Sequence, residues 1–175
     1  MILLIKLLGS ICIVSGSIYF SKSINHTMEQ RKKDLRCLYS LLVQLKSEIQ
    51  YMCNTLPECF LRIGNGAREP FANWLGSIAN RMLEKEENSF QMLWEEGVMW
   101  LQKNSALQSC DLETVMELQD KLGGEDITSQ LKAIDFTLLH IEQQRTLLES
   151  ELASKKKVIT SFCVFAGAIT LIFLL

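Results

Sequence analysis

The sequence predicts an all-α protein: a cytoplasmic bundle of about six helices, built on a long antiparallel helix pair that continues into two terminal membrane spans. Three observations predict it. Apolar residues recur at alternating spacings of three and four over two long stretches. No run of alternating β-branched residues bounded by turns occurs, and the chain holds only two prolines. The apolar surplus lies at the two ends: all 20 acidic residues, and every basic residue except Lys6, fall between residues 21 and 157.

The first twenty residues, MILLIKLLGSICIVSGSIYF, carry one charge. As a helix they measure about 30 Å, enough to cross the hydrocarbon of a bilayer. Val158 to Leu175 is uncharged and spans about 27 Å. Residues 1–20 and 158–175 are thus expected to be transmembrane helices flanking a cytoplasmic domain of residues 21–157. A cleaved signal peptide, with Ser15-Gly16-Ser17 as its small-residue site, is the competing reading of the first segment. Lys22, Arg31, Lys32 and Lys33 follow that run and Lys155 to Lys157 precede the last one, so the positive-inside rule favours a retained anchor, a cytoplasmic middle and a hairpin.

From Ile24 the apolar stripe runs through Met28, Leu35, Leu38, Leu42, Leu45, Ile49 and Met52, with Arg31 as its one cation. That is a helix of about 45 Å. Thr55-Leu56-Pro57-Glu58 reads as a capping box with proline in the first turn, opening a helix that runs to Ile63. GNGAREP is a turn. Phe71 to about Glu86 forms the next helix, with Trp74, Leu75, Ile78 and Met82 on one face, and another resumes through Phe90, Leu93, Trp94, Val98 and Leu101. Asp111 is expected to cap a helix through Val115 and Leu118 that stops at Leu122-Gly123-Gly124. The return helix repeats the stripe as Leu131, Ile134, Leu138, Ile141, Leu148 and Leu152, broken by Arg145. Two stripes running in opposite directions bury each other.

Chemistry-bearing motifs are scarce. The close glycines, Gly64 with Gly66 and Gly123 with Gly124, are not followed by Lys-Ser or Lys-Thr, so no phosphate loop is expected. His26 and His140 read as surface or interface residues. Cys37, Cys53, Cys59 and Cys110 lack CxxC spacing and read as reduced, mostly buried small apolar residues. Glu84, Glu86, Glu87, Glu95 and Glu96 read as solvated helix faces. The middle of the chain carries net charge −3, against nucleic-acid binding, and its cation clusters lie at the membrane borders where lipid headgroups suffice as partners. Neither a catalytic residue nor a metal or cofactor site is expected. Arg31 and Arg145 read as solvated rim residues or as a functional pair. Cys12 with Gly16, and Cys163 with Gly167, would permit close span packing or a homo-oligomer.

LYSLLVQLKSEIQYMCNTLPECFLRI, with leucines leading to Glu-Ile, Tyr and Thr-Leu-Pro-Glu, resembles the stage III sporulation protein AB family of endospore-forming bacteria. LWEEGVMWLQKNSALQSCDLETVMELQDKLGGEDITSQLKAI resembles that family's Trp-containing helix and its following Leu-Gly-x-x-Asp-x-x-x-Gln, here Leu122, Gly123, Asp126 and Gln130. Its cysteines and doubled glycine depart from the pattern. The resemblance implies a non-enzymatic platform subunit of a secretion-like complex between mother cell and forespore. It also implies a domain similar to that of the type II secretion system F protein, and docking of a cytoplasmic ATPase, stage III sporulation protein AA. Pro57, Glu58, Gly123, Asp126 and Gln130 would then be structural. Glu48 would be either an ATPase contact or an internal hydrogen-bond acceptor. A membrane-anchored signalling bundle and a pore-forming subunit are the alternative readings.

Overall fold

The computed structural model describes residues 27–52, 55–84, 89–124 and 126–174, with side chains described as far as residue 154, Met52 excepted. Among them the chain is all-helical. The helices are α1 (residues 27–47), α2 (Leu56–Asn65), α3 (Phe71–Leu83), α4 (Phe90–Asn104), α5 (Ser109–Glu117) and α6 (Ile127–Leu174). The chain divides into two compact units, one of Met1–Gln30 with Leu147–Leu175 and one of Arg31–Thr146.

In the second unit, α1 and α6 run antiparallel. Lys46 meets Asp135, and Arg145 lies over Tyr39, so later residues of α6 face earlier residues of α1. The two apolar stripes supply the seam: Leu35, Leu38, Leu42 and Leu45 of α1 and Ile134, Leu138 and Ile141 of α6 are buried. The shorter helices pack in sequence, α2 on α3, α3 on α4 and α4 on α5. Their core is aromatic. Trp94 lies 5.7 Å from Phe60, 5.7 Å from Phe90 and 5.3 Å from Trp74 by ring centroids, and its Nε1 donates to the Val115 carbonyl at 2.8 Å.

Several boundaries differ from those the sequence predicts. The first stripe was expected to continue unbroken to Met52, but α1 gives way to a π-turn at Glu48–Met52. An i→i+5 turn inserts an extra residue per turn and rotates the following side chains off the stripe, which leaves Ile49 only half-buried. Helix α3 ends at Leu83 rather than near Glu86. Asp111 is not the first cap of α5: Gln108 takes that position in extended backbone, and Asp111 sits three residues on, accepting the Gln108 N–H at 2.8 Å. Leu118–Asp120 tightens into a 3-10 turn. Gly123 then stops the segment with φ of +79°, a left-handed conformation that disfavours other residues.

In the first unit, Leu148 and Leu152 are buried and α6 remains helical to Leu174. No helix among the described residues is long and apolar enough to cross a membrane. The expected span of residues 1–20 lies outside the described residues, as do the side chains of residues 158–175.

Two glycines show where helix packing is tight and where it is open. A Cβ on Gly97 in α4 would stand 2.7 Å from Ile78 Cδ1 and 3.0 Å from Trp74 Nε1, whereas one on Gly76 in α3 meets nothing within 4 Å. Gly97→Val should therefore cost about 1–3 kcal/mol through overpacking, and Gly76→Ala should add about 0.5–1 kcal/mol through helix propensity and a less flexible unfolded chain. Urea denaturation of both variants checks the pair; equal effects would contradict the packing described.

Candidate functional site

The charged residues of α1 and its π-turn form a ladder that ties this helix to the rest of its unit. Arg31 donates Nε to Asp111 Oδ2 at 2.8 Å and Nη2 to Oδ1 at 2.7 Å, a forked pair between α1 and α5. Its side chain is 12% exposed and that of Asp111 0%. Three residues on, buried Asp34 pairs with Arg68 of the α2–α3 turn and accepts the Ala106 N–H at 2.8 Å, binding the α4–α5 connection as well. Lys46 meets Asp135 of α6 at 2.6 Å on the surface, where such a pair contributes little. Glu48 Oε2 lies 3.4 Å from Arg62 Nη1 of α2.

Arg31 is therefore not a solvated rim residue. It sits at one end of the apolar stripe, and burial there is tolerable because a carboxylate from an element 80 residues away completes it. Arg145 takes a different acid, with its Nη1 2.5 Å from Glu142 Oε2 one turn away, and its guanidinium lies 5.6 Å from the centre of the Tyr39 ring. Glu48 is 14% exposed and has Arg62 beside it, so an internal cation faces the carboxylate.

The residues read as structural signature serve the backbone. Thr55 N–H donates to Glu58 Oε2 at 3.0 Å, with Pro57 in the first turn of α2. That bond holds the Glu58 carboxyl below its usual range. Asp126 accepts from Thr128 and Ser129 N–H at 3.0 and 3.1 Å, opening α6. Gln130 donates Nε2 to the Gly124 carbonyl at 2.5 Å and so fastens the turn to the first turn of α6.

Sequence reasoning passed over Asp34 and undervalued Asp111, the two carboxylates that hold the ladder. A signal existed for the first: Asp34 shares the spacing of Leu38, Leu41 and Leu45, so it lies on a buried face of α1. The cysteines also divide. Cys59 is buried, Cys37 half-buried and Cys110 exposed, which corrects the expectation for Cys110, while Cys53 lies outside the described residues. Burial pushes the thiols of Cys37 and Cys59 above their ordinary range. The His140 ring Nε2 lies 2.8 Å from the Cys110 carbonyl and acts as donor there, because a carbonyl only accepts.

A groove opens between α1 and the α2–α3 turn, with a volume of about 530 Å³. Lys33, Arg36 and Arg68 rim it above Cys37, Leu41 and Ala67. Among the described residues no three His, Cys, Asp or Glu side chains converge as a metal site.

The comparisons with known proteins agree on one family. The family model of stage III sporulation protein AB matches residues 6–175. Stage III sporulation protein AB of Bacillus subtilis (strain 168) is 24% identical over 172 residues, covering 98% of this chain and all of that protein. A solved structure of stage III sporulation protein AB has a similar fold, with a TM-score of 0.65 and 23% identity over 71% of this chain and 98% of that one.

Proposed function

Because the chain belongs to the stage III sporulation protein AB family and so serves in sporulation, we propose that it is a non-enzymatic membrane platform subunit. In this reading it joins a secretion-like complex in the mother-cell membrane around the forespore, and its helical unit docks a cytoplasmic ATPase, stage III sporulation protein AA. The apolar terminal segments would anchor it, with the bundle on the cytoplasmic side.

The observation that carries the reading is the ladder on α1. Four charged residues on one helix and its terminal turn are each engaged by a different element, and two of the carboxylates involved, Asp34 and Asp111, are almost wholly buried. A buried ion pair contributes little net stability, but separating its partners leaves an uncompensated buried charge, so arrangements that part Asp111 from Arg31 are costly. A platform needs a surface that keeps its shape while its partner moves, and a bundle braced in this way supports that role.

The test uses the full-length chain in nanodiscs of uncharged lipid, titrated with the ATPase and followed by light scattering and by nucleotide turnover. Saturable association, with turnover only when the ATPase is present, is expected. Turnover by the chain alone, or an ATPase that does not bind, would overturn the proposal.

A further inference from the structure

We infer that the groove between α1 and the α2–α3 turn receives an acidic, apolar-anchored segment of the partner protein. The inference rests on the platform reading and gives the partner a face. Every charged residue lining the groove is a cation, although the whole chain carries a net charge of −2. Lys33 and Arg36 stand one turn apart on α1, the spacing at which two side chains share a helix flank. Arg68 faces them from the turn.

Arg68 is held in place before any partner arrives. Its guanidinium pairs with Asp34, whose other oxygen binds the Ala106 N–H, and it lies 5.7 Å from the centre of the Phe71 ring. Even so, its side chain stays 40% exposed, so donors remain for an incoming carboxylate. Between the cations the floor of Cys37, Leu41 and Ala67 is largely apolar. The complementary ligand has at least two carboxylates flanking one apolar side chain, as on one face of an acidic amphipathic helix. A lipid headgroup would satisfy the cations and leave the floor without a partner.

The experiment uses the full-length chain in nanodiscs of uncharged lipid and a fluorescein-labelled peptide of about a dozen residues, with glutamates and leucines at helical spacing. Saturable anisotropy is expected, weakened about tenfold by Lys33→Glu with Arg36→Glu, and weakened also on raising salt from about 50 to 300 mM. Both positions are exposed, so helicity by circular dichroism should hold. Ser40→Trp, which fills the groove without changing charge, should weaken binding similarly. Arg68 is left intact because it holds Asp34. Affinity unchanged in both variants, no binding at all, or displacement of the peptide by phosphatidylglycerol vesicles would overturn the inference. If the ATPase itself binds the double variant as well as the unaltered chain, the groove is excluded and the platform reading stands. If the ATPase binds neither, the platform reading falls, and with it this assignment of the groove.

Discussion

Arg31→Met should destabilise the fold by about 3–5 kcal/mol, the cost of leaving a buried carboxylate without its cation. Asp111 has no exposed side-chain surface, and the two forked bonds from Arg31 are its contacts to α1. The Gln108 N–H remains on Asp111 Oδ2 but carries no full charge. Adding Asp111→Leu should recover part of the loss, because an apolar pair no longer buries an unpaired charge, although α5 loses the bond to Gln108. Urea denaturation of the two single variants and the double variant measures the coupling. A loss under about 1 kcal/mol for Arg31→Met would mean that the pair behaves as an ordinary surface salt bridge.

Trp94→Ala should cost about 3–5 kcal/mol as well, through a cavity rather than through charge. Its side chain is fully buried among Phe60, Phe90 and Trp74. Trp94→Phe separates the two contributions of the indole. It keeps most of the ring packing and gives up the bond to the Val115 carbonyl, a loss of about 1 kcal/mol. That carbonyl also accepts the Leu118 N–H, so it is not stranded. Thermal unfolding followed by circular dichroism orders the variants. A Trp94→Phe protein as unstable as Trp94→Ala would show that the hydrogen bond, not the packing, is decisive.

The helical class was legible because its signals are local. Leu35, Leu38, Leu42 and Leu45 announce a buried face by spacing alone, and Thr55 with Glu58, or Asp126 before α6, announce a helix start through bonds made within three residues. Boundaries failed where a local signal had more than one outcome. Asp111 has the chemistry of a first cap, yet it occupies the third position of α5, where its carboxylate accepts both the Gln108 N–H and the Arg31 guanidinium. The stripe through Ile49 matched an uninterrupted helix, and periodicity does not register one inserted residue at a π-turn.

The ladder was the less legible part. Arg31 and Arg145 were singled out for breaking apolar stripes, and each does carry a specific contact. Glu142 lies one turn from Arg145 and was within reach of helical spacing, whereas the acid of Arg31 was not, nor was the cation of Asp34, whose face on α1 was readable.

By itself the sequence determined the all-α class of the described residues, two long opposed stripes, and most of the caps that start and stop the shorter helices. Spacing and capping act over one or two turns, so they are written in consecutive residues. Only the tertiary structure decided the long-range pairs: Arg31 with Asp111, Arg68 with Asp34 and Lys46 with Asp135 join residues 80, 34 and 89 positions apart. Electrostatic pairing depends on distance in space, and that distance is set once the helices have packed.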